Sequence, residues 1–164
     1  MEGYFSLETK DKKKFKISKK AAVLSDLLKN MREIPQPYDI PLNDDISSQT
    51  IEKIINYLNH FDGNPPNEIS KPLYITDMKK ITDAYSADFV DKLTIEELVD
   101  IISAAHYMKI YPLLDLCCAK MVALCKGKSE DDIFKIFGIP KDYFKPEDKE
   151  KIKANNKWID EVFQ

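Results

Sequence analysis

The sequence predicts an α/β chain: a small sheet with helices at the start, then helices alone from Ser86 to the end. Three features carry that expectation. Residues 3–8, GYFSLE, and 15–17, FKI, flank a lysine-rich turn, as the two strands of a short hairpin do. YDIPL, residues 38–42, reads as an edge strand, because its proline cannot donate to a central ladder. After Ser86 one capped amphipathic segment follows another.

Taken in order, the hairpin is followed by KKAAVLSDLLKNM, which predicts one helix capped by Ser18. Val23, Leu24, Leu27, Leu28 and Met31 share one face of it, and Pro35 and Pro37 end it. SSQTIEKIINYLNHF places Ile51, Ile54, Ile55 and Leu58 at i, i+3, i+4 and i+7, the spacing of one helical face. DGNPPNEISKP then reads as a flexible insertion, and residues 73–84 give no clear pattern. SADFVDKL predicts a short helix capped by Ser86. TIEELVDIISAAHYM opens on Thr94 and Glu97, a capping box in which each side chain satisfies a backbone donor near the other. YPLLDLCCAKMVALCKG starts with Pro112 near the first helical position and stops at Gly127. SEDDIFKIFG makes a short helix between Ser129 and Gly138. A charged helix with Pro146 near its start and Trp158 near its end closes the chain.

Composition narrows the function classes. With 43% hydrophobic residues the chain has material for a real core, and at this length folding buries roughly 70% of the surface the unfolded chain exposes. A balance of 28 acids against 25 bases gives a net charge of −3, whereas nucleic-acid binders are more often basic. Seven lysines between Lys10 and Lys20 could form a phosphate patch, but without interleaved aromatics they read as a solvated hairpin tip. No run of about 18 apolar residues predicts a membrane span, and the N-terminus lacks the apolar stretch of a secretory signal. Three cysteines are an odd number for a disulfide framework, so the expected compartment is the reducing cytoplasm or nucleus.

The cysteines and histidines are the first residues to test for chemistry. Their C-C-x₆-C spacing contains no C-x-x-C pair for zinc or redox work. At about 100° per residue, Leu114, Cys118, Met121 and Cys125 form one helical stripe, and Cys117 falls beside it with Leu113. Free cysteine behaves as a small hydrophobe, so these read as packing groups. His106 lies on a different predicted helix and His60 has no partner at ligand spacing, so both read as partly exposed polar residues. An enzyme built on Cys117, Cys118 and His106 is the competing reading. The four glycines are too far apart to cradle a phosphate. Glu96–Glu97 and Asp131–Asp132 sit in first helical turns, where they complement the helix dipole. No metal, cofactor or catalytic site is expected. What remains is an apolar surplus on the later helices, which must be buried against one another or against a partner.

The stretch LVDIISAAHYMKIYPLLDLCCAKMVALCKGKSEDDIFKIFGI, residues 98–139, closely resembles the S-phase-kinase-associated protein 1 family, the F-box adaptors of cullin–RING ubiquitin ligases. The marks are A-A-x-Y-[LM], a following L-L-D-x-x-C, then K-G-K-[ST]-x-[ED]-[ED]-I and a short F-x-I. KPEDKEKIKANNKW resembles the family's final helix, and FKISKKAAVLSDLL and YDIPLNDDISSQTIEKIINYLNH resemble its first strands and helices. The chain departs from the pattern where W-D-x-E-F is replaced by Tyr85, Ser86, Ala87, Asp88 and Phe89. His106 replaces an asparagine, the acidic proline-rich insertion is reduced to DGNPPNE, and the terminus runs on through IDEVFQ.

The resemblance implies an α+β fold of BTB/POZ type over residues 1–127, with a C-terminal F-box-binding helical extension over 128–164. It implies no catalysis and no cofactor; the adaptor bridges a cullin scaffold to F-box proteins, the substrate receptors for ubiquitin-dependent degradation. By position, Leu98, Ile101, Ile102, Leu114, Cys118, Met121 and Cys125 would line or back the F-box groove. Ile133, Phe134, Ile136, Phe137, Ile139 and Trp158 would continue it, and His106 and Tyr107 would face the cullin. Pro146 falls where some protist members are hydroxylated and then glycosylated, though a proline also simply starts a helix. An elongin-C-like adaptor shares the first half but lacks the terminal helices. Neither nucleic acid nor membrane is an expected partner, and the exposed apolar surface leaves pairing of two free copies, a homodimer, open.

Overall fold

The computed structural model describes residues 3–31, 39–140 and 142–158. Strands β1 (Tyr4–Glu8) and β2 (Lys14–Ser18) pair antiparallel, with Phe5 opposite Ile17 and Leu7 opposite Phe15. Strand β3 (Asp39–Pro41) lies parallel to β1 on its other side, giving the order β2-β1-β3. Pro41 therefore sits on an edge, as its missing N–H requires. Phe5, Leu7, Ile17 and Ile40 point to the core while Lys14 and Lys16 point to water, the period-2 alternation that fixes strand register. Pro35, Pro37 and Tyr38 lie outside the described residues.

The hairpin tip is tied down rather than loose. Lys12 takes a left-handed conformation (φ 61°) and donates its N–H to Thr9 O. The Asp11 carboxylate accepts from Thr9 Oγ1 at 2.5 Å and from Ser48 Oγ at 2.6 and 2.7 Å. That contact joins the tip to the first turn of α2 (Ser48–Phe61). The lysines pair with acids: Lys10 with Asp44, Lys12 with Glu8, Lys13 with Asp11, Lys14 with Asp39 and Lys20 with Asp62. Five of the seven thus already have a carboxylate, which removes most of the charge a phosphate would need.

Residues 18–31 do not form the one helix expected. A 3-10 turn (Ala21–Leu24) is separated from helix α1 (Asp26–Asn30) by Ser25, which is fully buried and extended (φ −105°, ψ 115°). The expected cap, Ser18, does accept the Ala21 N–H at 3.0 Å, but at the 3-10 turn. The break has a tertiary cause. Ser25 Oγ accepts the Leu28 N–H at 3.3 Å and donates to Met108 O at 2.6 Å, 83 residues away. The Asp26 and Leu27 N–H groups add bonds to Lys109 O and Met108 O.

Helix α2 buries Ile51, Ile54, Ile55 and Leu58, the face its spacing predicts, together with Thr50 and Tyr57. It ends where Asp62 and Gly63 both take positive φ (46° and 86°), and a Cβ on Gly63 would stand 2.7 Å from Lys20 O. Residues 64–77 follow as irregular backbone. Helix α3 (Met78–Ile81) occupies part of the stretch the pattern left unread. Helix α4 (Ala84–Asp91) begins three residues earlier than expected, because Asp83 is the cap; Ser86 gives its N–H to Asp83 and is buried inside the helix. A carboxylate makes a charge-assisted cap at the positive end of a helix and so competes well with serine.

Helices α5 (Ile95–Tyr107) and α6 (Tyr111–Cys125) form the centre of the helical part. Thr94 and Glu97 make the expected capping box at 3.1 and 3.2 Å. The turn between the helices passes through Lys109 (φ 54°) and seals Met108 and Ile110 completely. Contacts divide the chain into two units, Met1–Lys126 and Gly127–Gln164. The second holds α7 (Glu130–Ile136), capped by Ser129, and α8 (Pro146–Asn155). The regular part of α8 ends before Trp158, and IDEVFQ lies outside the described residues.

Ser25→Ala removes a helix cap and the shorter of two hydrogen bonds on the Met108 carbonyl, leaving it only the Leu27 N–H, so it should cost about 1–2 kcal/mol, read by urea unfolding. The Asp11 carboxyl is held down at about 2, first by Ser48 and then by Thr9, against an ordinary value of 3.8. A lowered carboxyl contributes stability above its unfolded value and loses it as pH falls through the folded one. Acid unfolding curves of Asp11→Asn should therefore be shallower from about pH 4 downward to 2 than those of the parent chain. An unchanged slope would mean that the hairpin tip contributes nothing there.

Candidate functional site

Helix α6 is apolar on both sides. Leu113, Leu116, Cys117 and Ala119 are buried against the rest of the first unit. Leu114, Met121 and Cys125 are half-buried, while Cys118 and Val122 (49% exposed) face solvent. The expected stripe of Leu114, Cys118, Met121 and Cys125 is therefore one open face of the helix, and Cys117 belongs to the core beneath it. Helix α5 lies below: Leu98 and Ile101 are sealed and Ile102 half-buried. Leu98 and Ile101 can back a surface on this unit but cannot line one, because no part of them is free to touch a partner.

At the end of α5, His106 and Tyr107 are both exposed, side by side in sequence and followed by the buried Met108. Tyr111 is 56% exposed at the start of α6. Val122 and Tyr111 were missed in the sequence. Val122 stands four residues after Cys118, so the same helical arithmetic extended by one stripe would have found it. His60 is exposed and stacks on Tyr85, with ring centroids 3.4 Å apart and planes 6° from parallel.

The second unit has its own apolar cluster. Phe134 is buried and its ring lies 5.9 Å from that of Phe144, which meets Tyr143 edge-on at 5.1 Å. Ile133, Ile136, Phe137 and Ile139 are half-buried, and Trp158 is 57% exposed. Of the residues expected to bind a partner here, Phe134 is the one committed to packing. Pro146 is exposed at the first position of α8, where Lys145 N–H donates to Asp148 at 3.2 Å.

The three thiols are free, and burial pushes the Cys117 thiol up to about 12, away from nucleophilic use. Burial likewise raises the Tyr57 hydroxyl well above the tyrosine range. Among the described residues no group of three or more His, Cys, Asp or Glu could hold a metal ion, and no helix is long and apolar enough to cross a membrane.

Two family models match the chain: "Skp1 family, tetramerisation domain" over residues 4–62 and "Skp1 family, dimerisation domain" over 111–159. The chain is 40% identical over 148 residues to an S-phase kinase-associated protein 1 homolog of Tetrahymena thermophila, covering 89% of this chain and 87% of that protein. It is 37% identical over 161 residues to the SCF ubiquitin ligase complex protein SKP1b of Dictyostelium discoideum, covering 94% of each. It is 32% identical over 149 residues to suppressor of kinetochore protein 1 of Schizosaccharomyces pombe, covering 88% of each.

Thiol alkylation in the folded chain, read peptide by peptide, should proceed in the order Cys118, then Cys125, with Cys117 silent until unfolding. Fast labelling of Cys117 would contradict both its burial and its raised pKa.

Proposed function

The chain belongs to the Skp1 family, and from that premise we propose that it is the adaptor subunit of an SCF-type cullin–RING ubiquitin ligase, bridging a cullin scaffold to F-box substrate receptors. One observation carries the reading: α6 keeps an apolar face that its own unit leaves uncovered. An apolar helix face open to water is a cost unless a partner covers it, and helix-in-groove recognition suits such a face.

In this reading Leu114, Cys118, Met121 and Cys125 touch the F-box, with Ile102 beside them and Leu98 and Ile101 supporting them from beneath. Ile133, Ile136, Phe137, Ile139 and Trp158 supply the second unit's contribution. His106 and Tyr107 face the cullin. The adaptor works without bond chemistry: tethering a receptor beside the ubiquitin-charged enzyme raises the effective concentration of substrate. Three free thiols suit a reducing compartment, the cytoplasm or the nucleus. An elongin-C-like role fits less well, because residues 127–164 carry α7 and α8 with apolar side chains of their own.

Binding of the full chain to an F-box domain and to a cullin N-terminal fragment, measured separately by calorimetry, tests the proposal. Met121→Asp should weaken F-box binding about tenfold or more by placing a charge in a dehydrated contact, and leave cullin binding unchanged. The double variant His106→Lys/Tyr107→Lys should do the reverse. If the parent chain binds neither partner, the reading is wrong. Joint loss of both activities in one variant, with an unchanged melting temperature, would mean that the two surfaces are not separate.

A further inference from the structure

The irregular segment 64–77 does not hang free from the fold; it follows α6 as a strap. Lys71 Nζ pairs with Asp115 at 3.0 Å near the start of the helix. At its end, Lys126 donates to Leu73 O and lies 5.8 Å from the centroid of the Tyr74 ring. The helix rises about 16 Å from Asp115 to Lys126, while Lys71 and Leu73 are at most about 7 Å apart, so the two lysine side chains bridge the rest. Residues 65–69 share a cavity with Tyr111, Pro112 and Asp115, and Ile69 and Leu73 share one with Cys118 and Val122. Ile69 and Leu73 pack inward on the core, while Tyr74 (79% exposed) and Ile75 stand out in solvent. Between strap and helix lies a cavity of about 230 Å³, walled by Ile69 and Leu73 on one side and by Cys118, Ala119 and Val122 on the other. The Lys71–Asp115 pair closes one end.

We propose that the strap is a second wall of the receptor surface: the cavity lined by Ile69, Leu73, Cys118 and Val122 receives an apolar anchor side chain of the F-box protein, and the exposed Tyr74 and Ile75, which lie outside that cavity, extend the contact along the strap. The proposal rests on the adaptor reading and adds residues to it. Three observations select this occupant. The cavity is continuous with the open face of α6, because Cys118 belongs to both. It is smaller than the roughly 300–1,000 Å³ typical of small-molecule pockets and is on the scale of a large side chain. Its charged groups are already paired with each other, so a charged occupant would find no counter-charge and an apolar one loses nothing. Hot-spot anchors commonly sit in pockets of this kind, ringed by contacts that exclude water.

The test uses the full chain, an F-box domain and a cullin N-terminal fragment. Val122→Glu should weaken F-box binding by about tenfold or more, and Tyr74→Ser/Ile75→Ser by about three- to tenfold. Cullin affinity and melting temperature should stay as in the parent for both variants, whose altered side chains are exposed. F-box affinities within about twofold of the parent in both variants, while the parent binds normally, would overturn the strap proposal and leave the adaptor reading intact. Variants that change only self-association in sedimentation would assign the cavity to a second copy of the chain and overturn it too. A parent chain that fails to bind the F-box would remove the adaptor reading and this surface with it.

Discussion

Helix α6 carries apolar side chains around most of its circumference, and its own unit covers only one side of them. A helix of this composition cannot float between layers; it must be pinned by one face and covered on the other. Leu113, Leu116 and Cys117 do the pinning, against a core that α2, α5 and the strands supply together. The uncovered face is what a partner would use. Its position is set by the turn through Lys109, which fixes where α6 leaves α5.

That turn is in turn held by the N-terminal half. Ser25 reaches Met108 O, and the next two backbone N–H groups reach the same turn, so one small cluster of hydrogen bonds joins the sheet side to the helix pair. Buried hydrogen bonds contribute modest net energy, but leaving one unmade is expensive, which makes such a cluster a strong constraint on alternative packings. The exposed ion pairs around the hairpin act differently. They are screened by water and add little stability, yet they occupy lysines that would otherwise form a basic patch.

The strap shows how a segment without secondary structure can still be part of a surface. It is held by one ion pair, one backbone acceptor and two inward apolar residues, with a cavity left beneath it. Few contacts of this sort imply a segment that opens at low cost compared with the helices it crosses. An element of that kind adjusts to a partner more readily than the packed face of α6 does.

Sequence by itself determined the helices whose signals are local. The isoleucine spacing of α2, the Thr94–Glu97 box of α5 and the Pro112 and Gly127 limits of α6 are written in residues close along the chain, and the motif order carried the family. The stripe containing Cys118 was legible for the same reason, since helical periodicity is arithmetic. Tertiary structure alone decided where Ser25 breaks the first helix, that Asp83 and not Ser86 caps α4, and that Leu98 and Ile101, expected to line or back a surface, are sealed and can only back one. It also decided the course of residues 64–77, whose partners are Asp115 and Lys126. In each case the deciding contact lies far away in the chain or depends on which of two nearby side-chain acceptors, Asp83 or Ser86, takes a backbone N–H at the helix start. Local pattern holds no record of that; only the packed chain does.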